Sequence, residues 1–390
     1  MKIMYITDAL AVWGGIERVL SDKMNYLVDH GHDVYVVTSD QGGNPIPFAL
    51  DERVQVYDLN VRFYQQYRYR GLKRLIKYFE CERMFRTRLK SYIKVVSPDI
   101  ISCIRDSNVY NVLKVKGDIP VIFESHALCK DIVFEKATFL HQKASHIGRK
   151  CFKKLDMIVT LTKGDANDWM RYCKNLRVIP NVVHLNTSGN YSRCTSKKVI
   201  FAGRFDVQKN IEALFKIWEL VQQQYPDWEL NVYGNGELKP FYESEVKTKG
   251  LNITIYPAVP DIFNKYRESS ILILTSMYEP FGLVLVEAMS CGLPVVSFDC
   301  PYGPADIITD GVDGFLVENN NIDSFADRIC QLIGNHELRK KMGEAGVLSS
   351  KRFCTELIMP LWIQLFEKLS TDKIDDNLNE IQDNINNLSI

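Results

Sequence analysis

Short apolar, β-branched runs alternate with amphipathic helical stretches along nearly the whole chain, and the alternation comes in two successive series. In the first, Lys2 to Thr7, His32 to Thr38, Val54 to Leu59, Asp99 to Ile104, Val121 to Glu124 and Met157 to Leu161 read as strands. Helices such as Ile16 to Asp29 lie between most of them. In the second, Lys198 to Ala202, Trp228 to Tyr233, Ile253 to Tyr256, Ile271 to Leu274 and Pro294 to Phe298 read as strands. Strands separated by helices pair in parallel, because a parallel neighbour is reached only by a crossover connection. A chain of 390 residues with two such series predicts an α/β fold of two doubly wound parallel sheets.

Between the series, Asn181 to Ser196 is polar and rich in turn formers, and periodicity fails there. The expected domains are therefore 1–183 and 184–354. Helices over Ile322 to Ile333, His336 to Gly346 and Leu357 to Leu369 follow. The acidic, Asn-rich tail over 371–390 spaces Ile374, Leu378, Ile381, Ile385 and Leu388 four and three apart, a seam too short for a stable coiled coil. A frayed or disordered tail is the expectation.

Lys plus Arg and Asp plus Glu number 48 each, so nothing global calls for nucleic acid. The ten cysteines are scattered without a Cys-x-x-Cys pair, which argues against zinc and a disulfide framework and for a reducing cytoplasm. Thr7 and Asp8 interrupt the N-terminal apolar run too early for a signal segment, and no apolar run is long enough to span a membrane. Residues 62–94 are the exception to the even charge. Eleven Lys or Arg stand there against Glu80 and Glu82, interleaved with eight Phe or Tyr. That mixture suits an anionic membrane surface; the alternatives are a solvated basic helix and, third, nucleic acid.

The chemistry-bearing residues gather where strands end. Glu279-Pro280-Phe281-Gly282-Leu283 follows the Ile271 to Leu274 strand and opens a helix closed by Gly292 and Pro294. The N–H groups of Phe281, Gly282 and Leu283 are the donors of a helix start, suited to anionic oxygens. Glu279 and Glu287 flank them and can accept hydrogen bonds from sugar hydroxyls. Read alone, the two carboxylates are first of all a dipole partner and a solvated side chain. Arg204 and Lys209, in the loop that begins at Gly203, have the chemistry to clamp a diphosphate, Arg as a fork and Lys as a point charge. Gly234 and Gly236 make a glycine turn after the next strand, and Val259 lies in the loop after the one beyond. In the first series Gly14-Gly15 lacks the third glycine of a dinucleotide fingerprint, so it reads as a turn admitting a ligand or a neighbouring backbone. His126 directly follows a strand, at the end where open α/β sheets bind ligands, whereas His141 and His146 fall on a helical stretch and read as structural.

Taken together, Gly14-Gly15-Ile16-Glu17-Arg18, Gly203-Arg204 with Lys209-Asn210, the Gly234 to Leu238 turn, and Glu279 with Glu287 resemble the retaining family 4 glycosyltransferases of the GT-B fold. The similarity extends to about residue 370. It implies two Rossmann-like domains facing a central cleft, acceptor in the first and UDP-sugar in the second, with the helix at about 355–370 packing back on the first. It implies that Arg204 and Lys209 hold the departing diphosphate without a metal or other cofactor. It further implies Glu287 on the ribose, Glu279 on the donor sugar, the Phe281 to Leu283 amides on sugar or phosphate, Gly15 near the diphosphate and His126 beside the transferred sugar. Asn210 and Ala258 depart from the family, which often has Gly at both places. Asp299-Cys300-Pro301 with Gly303-Pro304 is similar to members that use UDP-galactose or UDP-N-acetylgalactosamine. The expected enzyme is a retaining, metal-independent hexosyltransferase, galactose-type favoured. Its expected place is peripheral on the inner face of the cytoplasmic membrane, acting on a lipid-linked oligosaccharide, a lipopolysaccharide core or a glycolipid. The alternatives are another GT-B activity, such as a sugar-nucleotide epimerase, and a non-catalytic sugar-nucleotide-binding scaffold.

Overall fold

Successive residues of β1 (Lys2–Thr7) go to opposite faces of a sheet, and both faces are buried: Ile3 and Tyr5 join one core, Met4 and Ile6 another. That two-sided burial is why the strand is continuously apolar. The computed structural model describes residues 1–134 and 150–371. His141, His146 and the 372–390 part of the tail, with its heptad spacing, lie outside the described residues.

One unit comprises Met1–Val182 with Thr355–Ile390, the other Val183–Cys354. In the first, β1 to β7 run Lys2–Thr7, Asp33–Thr38, Gln55–Asp58, Ile100–Cys103, Val121–Ser125, Met157–Thr160 and Leu176–Val178. They form a seven-stranded sheet, ordered β3-β2-β1-β4-β5-β6-β7 and parallel throughout. The last strand is absent from the sequence reading; three edge residues carry too little periodicity to register. The Thr355–Thr371 helix belongs to this unit. It sets Ile358, Met359, Trp362, Leu365 and Phe366 into the core that Ile3 and Tyr5 share with Leu20, Met24 and Leu27 of the Gly15–Asp29 helix.

The second unit holds β8 (Lys198–Ala202), β9 (Glu229–Tyr233), β10 (Ile253–Tyr256), β11 (Ile271–Leu274), β12 (Val295–Asp299) and β13 (Gly314–Glu318). Their order is β10-β9-β8-β11-β12-β13, again parallel. The order reverses between β8 and β11, so the loops after those two strands meet at the sheet's switch point, the position where such sheets bind ligands.

The basic block forms a short helical turn, Phe63–Arg68, and the Gly71–Val96 helix. The helix changes character halfway. Cys81, Phe85, Leu89 and Ile93 are buried in the core, whereas Leu72, Leu75, Ile76 and Phe79 form an exposed apolar stripe at helical spacing. Lys73, Arg74 and Lys77 lie among them, and Arg74 stacks over Tyr67 at 4.5 Å. Among the described residues no helix is long and apolar enough to cross a membrane.

Candidate active site

The loops after β8 and β11 are stitched together before any ligand is considered. Met277 N–H donates to the Gln208 carbonyl at 2.8 Å, Gln208 Nε2 to the Tyr278 carbonyl at 3.1 Å, and Thr275 Oγ1 to the Lys209 carbonyl at 3.0 Å. Asp206 caps the turn at Val207–Lys209, accepting from the Lys209 N–H at 3.1 Å and from Arg204 Nε at 2.9 Å. The result brings Lys209 and Glu279, seventy positions apart, into an ion pair at 2.5 Å with both side chains 11% exposed. Ser276 Oγ donates to the same Glu279 oxygen at 3.0 Å. Arg204 stands on this loop with its side chain 72% exposed, a fork reaching into solvent with its base tied to Asp206. Asn210 follows at φ 51°, a left-handed residue that caps the Ile211–Gln224 helix by accepting from Ala213 N–H. Asn is, after Gly, the residue that best tolerates that backbone conformation.

Glu279 is also anchored through its backbone, donating to the Pro301 carbonyl at 2.6 Å and accepting from Tyr302 and Gly303 N–H at 3.0 and 2.8 Å. Gly303 has to be glycine, since a Cβ there would fall 1.7 Å from the Phe281 carbonyl oxygen. The Asp299 to Pro304 segment thereby holds Phe281, Gly282 and Leu283 at the start of the Leu283–Ser290 helix, with Gly282 at φ 106°. Glu287, on that helix, is buried and accepts from Tyr266 Oη at 3.3 Å.

Gly203, Gly234 and Gly236 serve a backbone crossing. Gly203 N–H donates to the Tyr233 carbonyl and Phe205 N–H to the Asn235 carbonyl. A Cβ on Gly234 would stand 1.9 Å from the Gly203 oxygen, and one on Gly236 2.5 Å from the Phe205 oxygen. Gly234→Ala is therefore expected to lower stability by about 3 kcal/mol, at the upper end for overpacking, and to displace the Arg204 loop. Urea unfolding reads the first effect and hydrogen exchange over the Arg204 loop the second; an unchanged midpoint contradicts the crossing as the reason for glycine. Val259 lies nearby on a cavity of about 330 Å³ that also has Tyr233 and Tyr256 on its wall, their rings stacked at 4.8 Å.

In the first unit, Gly14 caps the Gly15–Asp29 helix, and the space beside it is taken by the chain's own Glu17 carboxylate, which a Cβ on Gly14 would meet at 2.3 Å. A carboxylate at that helix start is favourably placed. Arg105 lies 4.0 Å from Glu17 and 3.7 Å from Asp8, an ionic cluster that sequence reading missed because its members sit on three separate loops and helices. Trp13, 69% exposed and edge-on to Phe48 at 5.1 Å, was missed likewise. His126 follows β5 as expected, but its side chain is 5% exposed, with Nε2 3.4 Å from Glu124.

Two parallel-sheet units of this order, with a cation–carboxylate pair at the second unit's switch point, have the GT-B architecture. The family is equally plain. Residues 13–187 match the family model described as Glycosyltransferase Family 4 and residues 190–348 that described as Glycosyl transferases group 1, and the chain belongs to these glycosyltransferases. An uncharacterized glycosyltransferase of Haemophilus influenzae is 29% identical over 93% of this chain and 98% of its own. The amylovoran biosynthesis glycosyltransferase AmsD of Erwinia amylovora is 27% identical over the same shares. Among solved structures, a Staphylococcus aureus TarM variant in complex with fondaparinux, α-GlcNAc-glycerol and UDP superposes with a TM-score of 0.76 at 19% identity, covering 94% of this chain and 99% of that one.

Proposed function

We propose that this enzyme transfers a hexose or N-acetylhexosamine from a UDP-sugar to a hydroxyl of a membrane-associated glycan acceptor in surface polysaccharide synthesis, retaining the anomeric configuration and needing no metal. The observation that carries the reading is the Lys209–Glu279 pair with Arg204 on the same loop. A UDP-sugar arriving there draws Lys209 and Arg204 to its diphosphate, and Glu279, still held by Ser276 and its backbone, turns its carboxylate to the sugar hydroxyls. Glu287 takes the ribose hydroxyls. AmsD, named for amylovoran biosynthesis, and TarM, solved with UDP and a GlcNAc-bearing ligand, support a nucleotide-sugar donor and a glycan acceptor. Within that class the Asp299 to Pro304 segment favours a galactose-type donor.

In the reaction the bond from the anomeric carbon to the diphosphate oxygen breaks and the acceptor oxygen bonds to that carbon from the same face. The acceptor's proton passes to the departing UDP. Cations and helix-start N–H groups aimed at the diphosphate stabilise the charge that develops on it. A UDP-release screen across nucleotide sugars, followed by the anomeric coupling of the product by NMR, tests the reading. An α-linked product whose formation is insensitive to EDTA is expected, whereas a β-linked product or a metal requirement overturns the mechanism.

The exposed stripe Leu72, Leu75, Ile76 and Phe79, set among cations, supports docking on the anionic inner face of the cytoplasmic membrane. Each basic residue near such a surface contributes about 1 kcal/mol. Reversing Lys73, Arg74 and Lys77 to Glu is thus expected to abolish flotation with phosphatidylglycerol vesicles and leave UDP-sugar hydrolysis intact. Equal flotation with neutral vesicles contradicts the electrostatic part.

A further inference from the structure

The strongest feature outside the donor site is a dry cluster in the first unit. Lys23 of the Gly15–Asp29 helix and Glu124 of β5 pair at 2.6 Å with side chains 1% and 2% exposed. Ser102 Oγ of β4 donates to the other Glu124 oxygen at 2.6 Å, and the Trp362 ring covers the ammonium at 3.3 Å. The oxygen that binds Lys23 is the one 3.4 Å from His126 Nε2. Among the described residues, the buried Nδ1 of His126 finds no hydrogen-bond partner, while Nε2 faces Glu124.

We propose that Glu124, clamped by Lys23 and Ser102, is the positioning residue for His126, and that it fixes the ring with Nε2 inward and Nδ1 presented to a substrate hydroxyl. This rests on the reading of His126 as a residue that touches substrate. Three observations lead to it. A buried ion pair is weak evidence for stability, because an apolar pair of similar volume packs about as well, so its retention needs another reason. A buried ring nitrogen without a partner, here Nδ1, is rare and calls for a ligand atom. The ring sits at the carboxyl end of a parallel strand, where such sheets take ligands. With both Glu124 oxygens committed and water excluded, the carboxylate has one orientation, and a carboxylate facing one imidazole nitrogen dictates which nitrogen carries the proton. Tyr5, whose ring lies 5.6 Å from the Lys23 ammonium, closes the cluster from β1.

The test uses the full chain and a double-mutant cycle. Glu124→Gln alone strands Lys23, so the working variant is Lys23→Met with Glu124→Gln, which removes both charges and keeps the Ser102 bond. It is expected to lower kcat about a hundredfold, as misplacement of a catalytic group does, with the donor KM held within about twofold. Added to His126→Ala, the same pair of changes is expected to cost nothing further. A folded double variant with wild-type kcat, or losses that add in full, overturns the proposal. Full activity in His126→Ala alone overturns the reading of His126 itself, a distinguishable failure. If the double variant does not fold, nitrogen-15 NMR of the wild-type ring decides: a protonated Nε2 is expected, and a bare Nε2 with a protonated Nδ1 overturns the proposal.

Discussion

Lys209→Ala is expected to lower kcat by about a hundred- to a thousandfold, the loss that follows removal of one preorganised donor to a developing anion. Its effect on the KM for the UDP-sugar should be much smaller. Lys209 already has a partner in the resting protein, Glu279 at 2.5 Å. Ground-state binding of the diphosphate must compete with that carboxylate, whereas the extra charge that appears as the sugar–phosphate bond breaks draws the ammonium fully to the leaving group. Arg204, tied to Asp206 and Gln208 on its own loop and largely exposed, is the contrasting case. Arg204→Ala should raise KM as well as lower kcat, because an exposed fork gains its bidentate phosphate contact on binding. Glu279→Gln gives a third signature. On the proposed reading it frees Lys209 for the phosphate and removes a sugar contact, so UDP should bind at least as tightly while transfer falls. Steady-state UDP release with calorimetric UDP binding separates the three patterns. If transfer survives both Arg204→Ala and Lys209→Ala, these residues are not the diphosphate clamp.

How much of this was legible before the structure depended on whether chemistry sat in a loop with its own punctuation. Arg204 stands beside Gly203 and Glu279 beside Pro280, and Lys209 lies on the loop that Gly203 opens, so their placement after strands could be read directly. That Lys209 and Glu279 touch could not be read, because the contact is made by tertiary hydrogen bonds between the two loops, from Met277 N–H, Gln208 Nε2 and Thr275 Oγ1 to main-chain carbonyls, that no local pattern announces. Gly234 and Gly236 were read as a glycine turn. They are also where that turn crosses the Gly203–Phe205 backbone at closer than a Cβ allows. The basic aromatic block was legible as composition, but only the helix resolves it into a buried C-terminal half and an exposed N-terminal stripe. Lys23 and Glu124 were not singled out at all. In sequence one is an ordinary polar position of an amphipathic helix and the other the last residue of a strand, and only tertiary packing shows that they bury each other.

That burial makes Lys23→Ala the variant with the largest expected effect on folding, about 3–5 kcal/mol, the cost of leaving one member of a buried pair without its partner. Burial alone would raise the Glu124 carboxyl, but Lys23 first, and then His126, more than reverse this and hold it at about 2 against a usual 4.5. The sign follows. A carboxylate held low in the folded state adds stability above the unfolded value, and that stability is lost as pH falls from about 4.5 towards 2. Lys23 itself is pushed down by burial, opposed by Glu124, so its desolvation offsets part of the gain. Wild-type protein should therefore lose stability steeply in acid. Lys23→Ala should be unstable already at neutral pH, and Lys23→Met with Glu124→Gln should recover most of the loss while shedding this part of the acid sensitivity. Urea unfolding at pH 7 and pH 4 for the three proteins checks the order. A Lys23→Ala protein as stable as wild type at pH 7 contradicts a charged, dry Glu124. Because the Trp362 ring of the Thr355–Thr371 helix covers the Lys23 ammonium at 3.3 Å, the same loss should loosen that helix first, and hydrogen exchange over 355–371 should rise before exchange in β1.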